Sequence, residues 1–220
     1  MRTSTKAAAI LLTTAAVLAL PIVATAQEGK RMETMLRPYL DPDFTPREGP
    51  DTDKAFIRQG IRAIRDALPE KLPVADGGRP KVLVLTQGTY GVLHVPGAAG
   101  LLVLLRESAA EHGAFELTEL YDDRSINAEM LKSFDAVVLN QVGRTRRPGV
   151  FNEILPTYVR EGGGLFAVHS TALLYKDEPE AEFNKLLGAY VDTVNTQHGH
   201  PSRQGKPFPV VLSRPEHPLV

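Results

Sequence analysis

Three short apolar runs constrain this chain more than any other feature. Val82-Leu83-Val84-Leu85, Ala136-Val137-Val138-Leu139 and Leu165-Phe166-Ala167-Val168 are continuous, without polar alternation. A strand with one wet face alternates in polarity. A strand covered on both faces does not, and such strands belong to parallel sheets flanked by helices. Phe115 to Leu120 reads as a more polar strand nearer an edge, and Pro209 to Leu212 as a fifth strand.

Helical patterns fall between these runs. Ala98 to His112 is an apolar helix ended by Gly113, and Asn127 caps a short helix carrying Met130 and Leu131. Val150 to Glu161 places Val150, Phe151, Ile154, Leu155, Tyr158 and Val159 on one face, and Pro156 should kink that helix or mark a restart. Pro179 to Leu187 is a further helix, stopped by Gly188. Strands and helices in alternation, about 30 residues per unit, point to an α/β fold: a flavodoxin-like, three-layer, doubly wound, mostly parallel sheet.

Ahead of this region the chain changes character twice. Arg2 and Lys6 precede an apolar stretch from Ala7 to Leu20, and Ala24-Thr25-Ala26 is a small-x-small cleavage site. This pattern predicts a signal peptide over residues 1–26 and export to a periplasmic or extracellular compartment. A retained membrane anchor is the competing reading, since Ala7 to Ala24 is 18 residues, only just long enough to span. Cleavage would leave no stable membrane insertion. Residues 27–79 read as a leader: an extended, weakly ordered Gln27 to Pro50, one amphipathic helix and a linker. In that helix Ile57, Ile61, Ile64 and Leu68 form the apolar stripe, and Arg58, Arg62 and Arg65 read as a solvated face. The α/β domain then occupies residues 80–220.

Composition excludes several function classes. The chain has 25 basic and 26 acidic residues, which argues against a nucleic-acid partner. Loss of Arg2 and Lys6 with the leader would move the formal net charge from −1 to −3. There is no cysteine, which rules out disulfides, thiolate metal sites and a cysteine nucleophile, and suits an exported protein.

In a doubly wound sheet, ligands sit beyond the carboxyl ends of the strands. After the first run come Thr86 to Gly91 and then His94; after the third strand, Asn140-Gln141-Val142-Gly143; after the fourth, His169-Ser170-Thr171-Ala172. Gly162-Gly163-Gly164, a strand, and one polar residue at a sharp turn make the pattern of a nucleophile elbow. The elbow position holds His169, suited to acid–base work or metal ligation near neutral pH. Ser170, Gln141 and Tyr90 are candidates for hydrogen bonds to a ligand. Arg144, Arg146 and Arg147 read as a solvated loop, His112 as a helix-end residue, and His198-Gly199-His200 as a polar loop.

These stretches, in order, resemble the trehalose-utilisation (ThuA-like) family of the class I glutamine amidotransferase-like superfamily. The resemblance rests on Lys81 to Thr86 with His94, Leu131 to Val138, Tyr158 to Ser170, Phe183 to Tyr190, and Glu216 to Leu219. It implies a flavodoxin-like domain linked to disaccharide or keto-sugar metabolism. It aligns His169 with the elbow histidine, His94 with the first-loop histidine, and His200, in His200-Pro201, with a third. Those three imply a divalent metal site or an acid–base cluster. The expected ligand is a small carbohydrate, and the chain, ending at Val220, reads as truncated within the family's pattern. Two functions follow: a sugar-modifying enzyme with His169 and His94 as catalytic groups, or a non-catalytic carbohydrate-binding or scaffold module. Glutamine hydrolysis is excluded, because that chemistry needs a thiolate at the elbow.

Overall fold

The computed structural model describes residues 29–40, 51–70, 72, 78–88, 95–145 and 147–191. Four strands form one sheet: β1 (Lys81–Leu85), β2 (Glu116–Leu120), β3 (Ala136–Asn140) and β4 (Gly164–Val168). All neighbours are parallel, and their order is β2-β1-β3-β4. The chain first moves outward from β1 to β2, then jumps back across β1 to β3, so the switch point lies between β1 and β3. This is the flavodoxin-like order expected from the sequence. The Pro209 to Leu212 strand falls outside the described residues.

Each strand sends alternate residues to opposite faces. Val82, Val84 and Val138 face α3 (Val95–Ala110), meeting Val95, Ala98, Ala99 and Leu102. Leu83, Leu85, Val137 and Leu139 face the other side, meeting Phe151, Leu155, Tyr158 and Phe183. Phe151 and Phe183 pack edge to face, with ring centroids 5.4 Å apart. That second layer contains α4 (Ala128–Leu131), α5 (Leu155–Arg160) and α6 (Glu182–Leu187). Pro156 does mark a restart. It lacks an N–H, and the chain ahead of it, Val150–Ile154, is a wide turn in which Leu155 N–H donates to the Val150 carbonyl before α5 begins.

Two expectations need correction. Within the supposedly extended leader, residues 29–40 form a helix, α1, with Met32 and Leu36 buried against the α3 side of the sheet. Its apolar stripe (Met32, Met35, Leu36, Tyr39, Leu40) has helical spacing, diluted by the charges between. β4 is also not covered on both faces among the described residues, since Phe166 is 61% exposed.

The amphipathic helix α2 (Asp51–Ala67) lies on the outside of α3. Gly100 permits this approach: a Cβ there would sit 3.0 Å from Ile64 Cδ1. Arg65 is not a solvated cation, because its Nε donates to Glu107 of α3 at 2.9 Å. The α3 helix is therefore apolar on more than one side, with Leu102 against the sheet and half-buried Leu101 and Leu105 elsewhere on its surface.

The triple glycine ahead of β4 has three separate causes. Gly162 has φ +105, a Cβ on Gly163 would run into the Tyr158 ring, and one on Gly164 would lie 3.1 Å from Ala136 Cβ. Tyr158 cannot give way easily, since it is buried and its hydroxyl donates to the Phe134 carbonyl at 3.0 Å.

Candidate functional site

The register aligns the carboxyl ends of the strands. Leu85 sits beside Leu120 and Leu139, and Asn140 beside Val168. The four loops that follow must therefore share one rim, and a small set of polar side chains ties them together.

Gln87 links three of the loops. Its side-chain oxygen accepts from Asp123 N–H after β2, and its Nε2 donates to the Arg144 carbonyl after β3 at 3.0 Å. Its own carbonyl accepts from Gly143 N–H at 3.1 Å. Gly88, at φ +59, lies against Arg144, where a Cβ would come within 3.1 Å of Arg144 Cβ. Asp123 is fully buried and accepts from Thr145 Oγ1 at 2.6 Å and from Arg147 N–H at 3.3 Å. The Arg147 guanidinium donates to the carbonyls of Arg124 and Ile126 at 3.0 and 3.1 Å. Arg147 therefore braces the rim and is not a free cation in a solvated loop; Arg144 is exposed, and Arg146 falls outside the described residues. Tyr175 holds the same loop from below, donating to the Pro148 carbonyl at 3.3 Å. Burial, helped by Glu178 and Asp123, pushes its hydroxyl up to about 12, so it remains a donor at neutral pH.

At the β4 side of the rim, β3 and β4 end next to each other. Gln141 has φ +53 and His169 has φ +55. Each follows the last residue of its strand, and those last residues, Asn140 and Val168, are register partners. Two non-glycine residues in the left-handed region thus stand side by side on adjacent strand ends. That conformation costs roughly 1–2 kcal/mol per residue, and strain of this kind collects where side chains must be aimed. Gln141 is buried with its Nε2 toward the first turn of α3, where a Cβ on Gly97 would lie 2.7 Å away. His169 is exposed at the start of a short 3-10 turn, His169–Leu173.

Thr171 locks the two together. Fully buried, its hydroxyl accepts from Val142 N–H at 3.0 Å and donates between the carbonyls of Val168 (2.9 Å) and Leu139 (3.1 Å). One side chain thus joins the elbow after β4 to the residue beyond Gln141. Asn140 does similar work on the α3 side, donating to Thr86 Oγ1 at 3.0 Å and to the Ala98 carbonyl at 2.9 Å.

Of the residues singled out from sequence, His169, Gln141 and Ser170 share the β3–β4 end of this rim. Tyr90, His94 and His200 fall outside the described residues, as do His198 and residues 1–26. Among the described residues no group of three or more histidine or carboxylate side chains could hold a metal ion. Nor, among them, is any helix long and apolar enough to cross a membrane. His112 lies at the other end of the sheet, in a groove of about 460 Å³ lined also by Arg65, Pro69, Glu70 and Glu107. Sequence reasoning passed over Gln87, Asp123 and Thr171. The signal for Gln87 was present: a polar residue immediately after a buried apolar run stands at the rim.

Comparison with known proteins gives one family. The model of the ThuA family, described as trehalose utilisation, matches residues 81–220. No curated protein and no solved structure gives a match. The family match starts at Lys81, the first residue of β1, and continues through the whole described sheet and its elbow. A match over well more than half of the sequence, on a parallel sheet that ends in a histidine elbow, makes the chain a member of the ThuA trehalose-utilisation family.

Proposed function

We propose that this protein is exported by a signal peptide over residues 1–26 and acts on a disaccharide or keto-sugar at the carboxyl-end rim of its sheet. The α/β domain of residues 80–220 carries the site, and residues 27–79 precede it as a leader. The observation that carries the reading is the paired left-handed geometry of Gln141 and His169 on adjacent strand ends. It sets an exposed histidine and a buried glutamine on neighbouring strand ends, with Gln141 Nε2 against the first turn of α3.

In this reading His169 moves a proton to or from a sugar hydroxyl or carbonyl near neutral pH. Gln141 orients a hydroxyl, since a carboxamide both donates and accepts. His94 joins His169 as the second catalytic group, and Tyr90 adds a further hydrogen bond. His200, with His94 and His169, would hold a divalent metal. That metal would supply Lewis acidity to a carbonyl or a water.

The rival reading is a carbohydrate-binding module without turnover. The absence of cysteine, and so of a thiolate at the elbow, favours it. A panel of disaccharides and keto-sugars, followed by calorimetry and by product analysis, separates the two. Turnover that disappears in His169→Ala with an unchanged melting temperature supports the enzyme. Binding without product supports the module. No binding to any sugar refutes both.

A further inference from the structure

Ser170 is only 1% exposed, yet among the described residues its Oγ has no hydrogen-bond partner. A buried hydroxyl left unpaired is costly, and most buried polar atoms avoid this. Its neighbour Thr171, equally buried, shows how the same turn treats a structural hydroxyl, with partners on both sides. The elbow thus contains two buried hydroxyls side by side, one saturated by the protein and one not.

A second orphan lies on the adjoining strand end. Asn140 uses both amide protons, toward Thr86 and Ala98, while among the described residues its Oδ1 accepts from none. Asn140 pairs in register with Val168, two residues before Ser170. An amide oxygen can only accept, so it calls for a donor. Carboxylates lack a proton to donate at neutral pH, whereas a sugar hydroxyl both donates and accepts. The unpaired atoms along this edge therefore match a neutral, hydroxylated ligand.

From these atoms we infer that Ser170 is a ligand-binding residue, the inner hydrogen-bond partner of a neutral polyol that sits on the rim at His169. The inference rests on the sugar reading above and refines it by assigning ligand class and contact.

The test uses the full chain and Ser170→Ala, with trehalose as the probe. Removing an unpaired hydroxyl should leave the melting temperature equal to the wild type or raise it. Trehalose should bind about tenfold more weakly to the variant, the loss expected for one hydrogen bond of ~1.4 kcal/mol. A melting temperature lowered by several degrees would show that the protein itself satisfies this hydroxyl, and would overturn the assignment. Equal trehalose affinity in both proteins would overturn it while leaving the sugar reading intact. A wild type that binds another sugar of the panel but not trehalose moves the same comparison to that sugar; a wild type that binds none of them removes the sugar reading and the assignment together. Competition by inorganic phosphate against trehalose would overturn the neutral-ligand class.

Discussion

Thr171→Val exchanges one γ substituent for another of similar shape, so the volume at this fully buried position is kept and only hydrogen bonding is lost. Val142 N–H then loses its acceptor at 3.0 Å, and the carbonyl of Val168 loses its donor at 2.9 Å. Val142 is fully buried, so water cannot replace the acceptor. An orphaned buried N–H costs about 1–3 kcal/mol, and the missing donor adds a smaller amount, giving roughly 2–3 kcal/mol in all. For a chain of this size that is a fall in melting temperature of roughly 4–12 °C. Urea unfolding should show a lower midpoint with an unchanged slope, since the surface exposed on unfolding is the same. Because Thr171 ties the elbow after β4 to the end of β3, affinity for any ligand of the rim should fall in the same variant. A melting temperature within about 1 °C of the wild type would refute the claim that this hydroxyl clamps β3 to the elbow.

Three further outcomes follow from the same structure. His169→Gly removes the left-handed penalty at φ +55 and should raise stability by up to about 1 kcal/mol while eliminating turnover; a loss of stability in thermal unfolding would mean that the backbone there is not strained. Gly163→Ala drives a methyl into the Tyr158 ring and should cost about 1–3 kcal/mol, with Tyr158→Ala in the same chain relieving the clash; additive losses in the double variant would disprove the contact. Burial pushes the Glu119 carboxyl up, but hydrogen bonds from Arg106 (2.7 and 2.9 Å) and from the Tyr121 hydroxyl outweigh it and hold it below its ordinary value. A carboxyl lowered on folding stabilises the protein above its unfolded value of about 4.3 and loses that contribution as the pH falls through the folded value; Glu119→Gln should flatten the acid side of the stability profile, and an unchanged profile would show that the cluster contributes nothing.

Much of the architecture could be read directly from residue order. Continuous apolar runs at 82–85 and 136–139 specify strands between helical layers, because a strand buried on both faces has no polar alternation, and the run at 165–168 marks the fourth strand although Phe166 stays exposed. Pro156 announced its helix restart, since a residue without an N–H leaves the same mark wherever it stands. The rim was legible to the extent that strand ends were, which singled out His169, Gln141 and Ser170. Other features became visible only through space. Met32 and Leu36 form half of a contact whose other half, Val82 and Val84, lies some fifty residues away. The roles of Gln87, Asp123 and Thr171 depend on partners 20 to 60 residues distant, as with Gln87 and Arg144.

Local order along the chain determined which segments become strands and helices, because burial periodicity and missing N–H groups act within a few residues. Tertiary structure alone decided that Gln141 and His169 would stand next to each other in a left-handed conformation. It also decided that one of two adjacent serine and threonine hydroxyls would be saturated and the other left open. Register between strands and the supply of hydrogen-bond partners are properties of the packed sheet, and no short stretch of sequence contains them.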